Sequence, residues 1–384
     1  MERRTSIALL SVGHACVDVY QGSVAALVPL FVAERRYDYA TVAGIVLAAS
    51  LLSSVAQPLF GALTDRWRAP WLIPVSTLVG GAGVAASGLA GSYALTLAFV
   101  AVSGIGVAAY HPESARIARL ASAGSHRSMG WFSLGGNVGF ATAPLLVGLV
   151  SAAGGLGATP LLMVPALAGS VLCLPVLRVL ARRRAAGSAT TSPPRPDDWR
   201  SFGVLSGVVV ARSIAFVGLS TFLALYVEQR TGGGPAVGSA ALFVLYVGGA
   251  VGSVAGGMLV GHWDRVTVVR RAYLLAVVAV AGVVFVPGPA VFVFVALTSM
   301  GLYLPFSLQL TLGQDYLPSR VGTASGLTLG LTVSIGGLAS PALGWLADRT
   351  SLQTALTPLV LMPAVSWLLA RALPEPAVPA RAAA

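Results

Sequence analysis

Long runs of apolar residues alternate with short polar segments along almost the whole 384-residue chain. Each run can form a helix of about 20 residues, the length that crosses a bilayer. Charged residues, glycines and prolines cluster between the runs, where loops are expected. The pattern predicts twelve membrane-spanning helices, near residues 7–32, 39–63, 70–90, 93–118, 128–150, 158–180, 201–227, 236–261, 267–287, 289–312, 321–346 and 352–373.

One polar segment, "ARRRAAGSATTSPPRPDDWR", interrupts the pattern after the sixth predicted helix. Its Arg, Pro, Ser and Thr residues cannot enter hydrocarbon, and this composition is typical of a disordered linker. The chain is therefore predicted to comprise an N-terminal six-helix bundle (1–180), a cytoplasmic linker (181–200) and a C-terminal six-helix bundle (201–384).

Short strings recur between the two predicted bundles. "GALTDR" closes the second helix and "GHWDR" closes the eighth, which places Asp65 and Asp264 199 positions apart. "GFATAP" in the fifth helix and "GGLASP" in the eleventh recur at an offset of 197. The near-constant offset indicates duplication of a six-helix unit. The predicted fold is an all-α polytopic membrane protein with twelve transmembrane helices in two pseudo-symmetric bundles, and such repeats place a substrate site near mid-membrane between them.

Composition and charge support a membrane protein and exclude a nucleic-acid-binding one. Hydrophobic residues make up 56% of the chain, and charged residues only 10%. The net charge of +11 comes from arginines dispersed in short loops, not gathered on one domain. Nineteen arginines fall on the side of the N-terminus, which predicts that both termini are cytoplasmic. The other five are Arg35, Arg36, Arg230 and Arg349 on the opposite side and Arg212 within a helix.

The first predicted helix carries His14, Asp18 and Gln21 on one face, with Asp18 about 16 Å deep in the bilayer. Arg212 lies at a similar depth in the seventh helix. Charges in hydrocarbon are costly and therefore indicate function. We expect Asp18 and His14 to exchange protons, Gln21 to line the cavity, and Arg212 to face them and meet an anionic substrate. A permanent Asp18–Arg212 ion pair that only joins the two halves is the alternative.

The stretch "AYHPESARIAR", 109–119, concentrates charge at the end of the fourth predicted helix. Glu113 and Arg116 share a helical face near the edge of the hydrocarbon. We expect His111 and Arg116 in the wall of a polar cavity and Glu113 in proton coupling. Two amide side chains, Asn137 and Gln309, are further cavity candidates, although either could equally bridge two helices.

The sequence contains no recognisable catalytic or metal-binding motif. Its four histidines, His14, His111, His126 and His262, lie in four separate segments without the spacing of metal ligands. We therefore expect neither an enzyme nor a cofactor nor a metal site.

The chain contains the strings "QPLFGALTDR", "HPESARIARLASAGSHR" followed by "GGNVG", and "QDYLPSRVGTASGL". These strings resemble those of the major facilitator superfamily, and in particular its fosmidomycin-resistance branch of bacterial efflux proteins. The resemblance implies proton-driven export of a small molecule by alternating access across the bacterial inner membrane. It also implies a cytoplasmic gate formed by Gly61, Asp65 and Arg66, with Asp264 and Arg265 in the second copy of the motif.

Three functions are compatible with these patterns. The first is proton-coupled export of a drug or metabolite by a monomer, including anionic compounds such as phosphonates. The second is a proton symporter that imports a small organic anion. The third is a transporter-like sensor or a lipid-modifying enzyme. A sensor should carry a soluble output domain and an enzyme a clustered reactive group, and the sequence shows neither.

Overall fold

The computed structural model describes residues 3–37, 39–185 and 196–376, and within these ranges the fold is entirely helical. The elements are α1 (Arg3–Arg35), α2 (Tyr39–Arg66), α3 (Leu72–Ser87), α4 (Tyr93–Ser122), α5 (His126–Gly154), a 3-10 helix (Gly155–Leu162), α6 (Met163–Ala185), α7 (Trp199–Thr231), α8 (Gly234–Leu259), α9 (Arg265–Phe285), α10 (Val291–Tyr303), α11 (Phe306–Tyr316), α12 (Val321–Arg349), α13 (Leu352–Leu356), a second 3-10 helix (Thr357–Val360) and α14 (Leu361–Ala370).

These elements form the twelve predicted crossings, because α10 with α11 makes one crossing and α13 with α14 makes another. Within the described residues, eight helical stretches are long and apolar enough to cross a bilayer, and one of them, 126–179, contains two crossings. Large apolar side chains such as Leu145, Leu149 and Phe243 are mostly exposed on the outside of the bundle. Such exposure suits contact with lipid tails and would be costly in water.

The tenth crossing differs from its prediction as one continuous helix. It is divided at Leu304 and Pro305, between α10 and α11. Proline has no backbone N–H and cannot continue the hydrogen-bond pattern of a helix. The carbonyl of Pro305 accepts from the N–H of Gln309 at 2.8 Å and so begins the new helix.

The predicted linker also differs in part from the structure. Helix α6 continues through Ala185 and α7 begins at Trp199, so both ends of the segment 181–200 are helical. Asp198 begins α7 because its side chain accepts from the N–H of Ser201 at 3.0 Å. Residues 186–195 of the linker lie outside the described residues.

The two halves repeat the same close helix contact. In the N-terminal half, a Cβ on Gly139 of α5 would lie 2.3 Å from the carbonyl oxygen of Ala15 in α1. In the C-terminal half, a Cβ on Gly336 of α12 would lie 2.4 Å from the carbonyl oxygen of Ser213 in α7. The two glycines are 197 positions apart and their partners 198. Between the halves, α2 packs on α12 and α5 on α8.

Candidate functional site

A cavity of about 250 Å³ lies between the two halves. Helices α1, α2, α4 and α5 contribute its polar wall from the N-terminal half. Helices α7, α8, α10, α11 and α12 contribute a wall rich in aromatic residues. A mixed wall of this kind is typical of a site for a small molecule. The polar N-terminal residues include His14, Asp18, Gln21, His111 and Asn137, and the C-terminal residues include Phe216, Tyr246, Tyr303, Phe306 and Thr332.

Asp18 lies between two histidines in this cavity. Its Oδ2 is 3.2 Å from Nε2 of His14, one helical turn earlier in α1, and its Oδ1 is 3.1 Å from Nε2 of His111 in α4. All three residues are at most 6% exposed. A carboxylate and two imidazoles at this distance form a cluster that can bind and release protons within the bundle.

Backbone carbonyls hold both imidazole rings in place. Nδ1 of His14 lies 3.0 Å from the carbonyl oxygen of Phe132, and Nδ1 of His111 lies 2.8 Å from that of Val107. Because a carbonyl oxygen only accepts, each Nδ1 must carry a hydrogen. The opposite ring nitrogen, Nε2, of each histidine faces Asp18. The ring of Phe132 also stacks on His14 at 4.5 Å.

Arg212 lies immediately behind the opposite wall of the cavity. It is 1% exposed, and its Nη2 donates to Oγ1 of Thr332 at 3.0 Å. Its guanidinium lies 5.3 Å from the ring of Phe306 and 6.0 Å from that of Tyr303. Among the described residues no carboxylate pairs with Arg212, and its Nε has no hydrogen-bond partner. A buried, unpaired cation at this position favours an anion in the cavity.

The halves are in backbone contact on the side of the bundle where α1 begins, which we call the N-terminal side. A Cβ on Gly61 of α2 would lie 2.4 Å from the carbonyl oxygen of Gly322 in α12. Beside it, Oδ1 of Asp65 accepts from the N–H of Gly322 at 2.6 Å, and Oδ2 accepts from the N–H and Oγ1 of Thr323 at 2.7 and 2.6 Å. A carboxylate at a helix N-terminus is well placed to satisfy free N–H groups.

A network of charged residues joins the halves on the same side. Asp315 at the end of α11 pairs with Arg119 of α4 in the other half, and with Arg265 of α9 at 2.5 Å. Arg265 also donates from Nε to Glu375 at 2.7 Å. Arg119 donates a further hydrogen bond to Gln314 at 3.0 Å. These contacts and those of Asp65 hold the two halves together on the N-terminal side.

The sequence profile described as "Major Facilitator Superfamily" matches residues 10–341. The chain belongs to the Major Facilitator Superfamily. It is 28% identical over 381 residues to the "Fosmidomycin resistance protein" of Escherichia coli (strain K12), with 95% of this chain and 92% of that protein covered.

Solved structures of the superfamily share this fold. The transporter FucP in the outward conformation superposes with a TM-score of 0.73 at 15% identity, covering 95% of this chain and 97% of FucP. The human organic anion transporter MFSD10 superposes with a TM-score of 0.74 at 18% identity, covering 96% and 100%. Superfamily members are membrane-embedded carriers of small molecules, and this chain is accordingly a multi-pass membrane transporter.

In this superfamily fold, five of the nine residues predicted for coupling and the cavity meet in one place. They are the cavity-lining residues His14, Asp18, Gln21, His111 and Asn137. Asn137 also bridges the halves, because its Nδ2 donates to Oγ of Ser253 in α8 at 2.8 Å. Asn137 therefore lines the cavity and also bridges two helices.

The other four predicted residues lie away from the cavity surface. Glu113 is fully buried and pairs with Arg116 through two hydrogen bonds, one of them 2.8 Å long from Nε to Oε2. Gln309 donates to the hydroxyl of Tyr273 at 2.6 Å. Arg212 is separated from the cavity by Thr332 and the two aromatic rings, and it does not form the ion pair with Asp18 that was considered from the sequence.

Some of the predicted gate residues take part in contacts between the halves, and others do not. Gly61 and Asp65 contact α12 across the halves, and Arg265 joins the network of Asp315. Arg66 is exposed and lies over the ring of Trp67 at 6.0 Å. Asp264 begins α9, where it accepts from the N–H and Oγ1 of Thr267 at 2.8 and 2.6 Å. Of the second copy of the motif, Arg265 therefore joins the charge network and Asp264 does not.

Sequence reasoning missed several residues of this transporter. No partner was predicted for Arg119, the last residue of the charged stretch 109–119, and Asp315 and Glu375 were not considered. The available signal was that neither Arg119 nor Arg265 has an acidic residue at helical spacing in its own helix, so each needs a partner elsewhere. The aromatic wall gave no signal, because Tyr303 and Phe306 are ordinary residues of an apolar helix.

Proposed function

We propose that this protein is a proton-coupled secondary transporter that exports a small, negatively charged molecule by alternating access. It acts as a monomer in a bacterial inner membrane with both termini in the cytoplasm. The observation that carries the proposal is the position of Asp18, between two histidines and on the surface of a cavity shared by both halves. There the carboxylate can change its proton and its partners as the halves move.

The charge of the substrate is supported by Arg212. This buried cation lacks a carboxylate partner within the described residues and lies one side chain behind the cavity wall. A phosphonate or carboxylate in the cavity would supply the missing negative charge. The resistance protein of Escherichia coli that covers most of the chain is named for such a phosphonate, fosmidomycin, which makes that compound the first substrate to test.

Alternating access is supported by contacts on the N-terminal side. The hydrogen bonds of Asp65 and the charge network of Asp315 hold the halves together there, and all of them can be exchanged for water when the halves separate. The orientation is supported by the distribution of arginines, nineteen of which fall on that side. A single chain contains the whole cavity, which supports action as a monomer.

Asp18→Asn provides the test. The purified protein is reconstituted in vesicles, a pH gradient is imposed, and fosmidomycin and proton movements are followed together. We expect Asp18→Asn to lose gradient-driven transport and coupled proton movement, because the amide cannot exchange a proton at physiological pH. Substrate exchange without a gradient should persist, since it needs no net protonation.

Asp198→Asn is the matched control, because Asn also begins helices well and Asp198 is not among the residues that line the cavity. It should behave like the unmodified protein. Full proton coupling in Asp18→Asn would contradict the proposal. The direction of accumulation in vesicles of known orientation distinguishes export from the import of an organic anion.

A further inference from the structure

The cluster around Asp18 has four atoms with available lone pairs directed at one another. Because Nδ1 of His14 and of His111 each carry a hydrogen for a backbone carbonyl, both Nε2 atoms present lone pairs in the neutral rings. They face the two oxygens of Asp18, which are also acceptors. Such an arrangement is repulsive unless protons or a cation occupy the space between these atoms.

Two observations at the cluster indicate that a cation fits there. Oδ1 of Asp18 is buried and accepts no hydrogen bond from a backbone N–H or a hydroxyl of the described residues, and Nε2 of His111 faces it at 3.1 Å. Gly136 of α5 leaves room beside the cluster, since a Cβ there would lie 2.4 Å from Oδ2 of Asp18 and 2.9 Å from Nε2 of His14.

Each histidine nitrogen lies about as far from one oxygen of Asp18 as two neighbouring ligands of a tetrahedral metal ion lie from each other. Zinc binds imidazole nitrogen and carboxylate oxygen at about 2.0–2.2 Å, which at the tetrahedral angle separates neighbouring ligands by about 3.3 Å. Nε2 of His14 lies 3.2 Å from Oδ2 of Asp18, and Nε2 of His111 lies 3.1 Å from Oδ1. One ligand atom from each of the three residues lies within 4.8 Å of the other two. Hydrogen bonds from Nδ1 to backbone carbonyls are also the usual support of metal-binding histidines.

We propose that His14, Asp18 and His111 form a binding site for a divalent transition-metal ion of the zinc class. Two imidazoles and one carboxylate favour such an ion over magnesium or calcium, which prefer oxygen ligands. The three protein ligands leave at least one coordination position, and this position faces the cavity because all three residues line it. If the proposed function is correct, a bound ion also occupies the atoms that exchange protons and blocks coupling.

The experiment measures zinc binding to the purified full chain, after removal of any affinity tag, by equilibrium dialysis and elemental analysis. We expect one zinc ion per chain. His14→Gln, His111→Gln and Asp18→Asn should each raise the Kd at least about a hundredfold, since even supporting residues of metal sites contribute tenfold to a hundredfold. Substituted Co²⁺ should give the intense visible absorption of a four-coordinate or five-coordinate ion.

The double variant His126→Gln/His262→Gln is the matched control, because it removes the two histidines outside the cluster. It should bind zinc within about twofold of the unmodified protein, as distant sites act independently. The proposal is overturned if the unmodified chain binds no stoichiometric zinc, if the three ligand variants retain it, or if the control loses it. Binding is measured without transport, so either this proposal or proton coupling can fail while the other stands.

Discussion

Gly61→Ala tests whether the contact between α2 and α12 closes the N-terminal side. The new Cβ would lie 2.4 Å from the carbonyl oxygen of Gly322 and 3.1 Å from Cα of Thr323. These are backbone atoms that no side-chain rotation can move away. The helices must therefore separate by about 1 Å to reach ordinary van der Waals distance.

The size of the effect follows from the hydrogen bonds beside this contact. A 1 Å separation stretches the three bonds of Asp65, now 2.6–2.7 Å long, beyond the range of a hydrogen bond. Each hydrogen bond to a charged group contributes about 1.5–3 kcal/mol, so losing three costs about 4.5 kcal/mol even at the lower end. This changes the ratio of closed to open states about two-thousandfold, and a ratio of 99 to 1 would become about 1 to 20.

Distances between spin labels measure this ratio directly. Labels attached after Trp67→Cys and Arg320→Cys report the separation of α2 and α12, because both side chains are more than half exposed on the N-terminal side. The two native cysteines, Cys16 and Cys173, are first replaced by alanine. We expect Gly61→Ala to move most of the short-distance population to longer distances.

Gly203→Ala is the control, because a Cβ at that exposed position of α7 meets no atom within 4 Å. Its distance distribution should match that of the unmodified protein. If Gly61→Ala also leaves the distribution unchanged, the close approach of the two helices does not determine closure, and the gating role assigned to Gly61 and Asp65 is wrong.

Two further predictions concern packing and substrate charge. Gly336→Ala should lower the melting temperature of the purified protein and its free energy of unfolding by about 1–3 kcal/mol, because the new Cβ would lie 2.4 Å from the carbonyl oxygen of Ser213. Gly337→Ala is the control, because the space around its Cβ is open. Equal melting temperatures for the two variants would refute the packing argument. Arg212→Gln should weaken binding of fosmidomycin at least about tenfold more than binding of a neutral compound, because it removes a buried charge. Equal losses for both compounds, measured by equilibrium binding, would assign Arg212 a structural role.

The sequence predicted the parts of the site that depend on one helix at a time. His14, Asp18 and Gln21 share a helical face, and the structure places all three on the cavity. The same reasoning failed for Arg116, which shares a face with Glu113 and forms an ion pair with it inside the N-terminal half. Helical spacing identifies residues on a common face, but it does not say which neighbour that face meets.

Helical spacing could not predict which residues of other helices contact Asp18. From the sequence, Asp18 and Arg212 were obvious candidates for an ion pair, because they are opposite charges at similar depth. The structure instead gives Asp18 two histidines, one of them 93 positions away in α4. The histidines were interpreted as too scattered for a metal site, and their meeting in the folded chain is the basis for proposing one.

The sequence by itself determined that this is a twelve-helix membrane protein built from a duplicated unit. Length and apolar character of each run are local properties, and a bilayer leaves a chain of this composition few alternatives to helices. Only the tertiary structure decided which polar side chains meet. Those contacts depend on the rotation of each helix about its axis and on its neighbours, which are set by side-chain packing between distant segments, as at Asp18 with His111 and at Asp315 with Arg119 and Arg265.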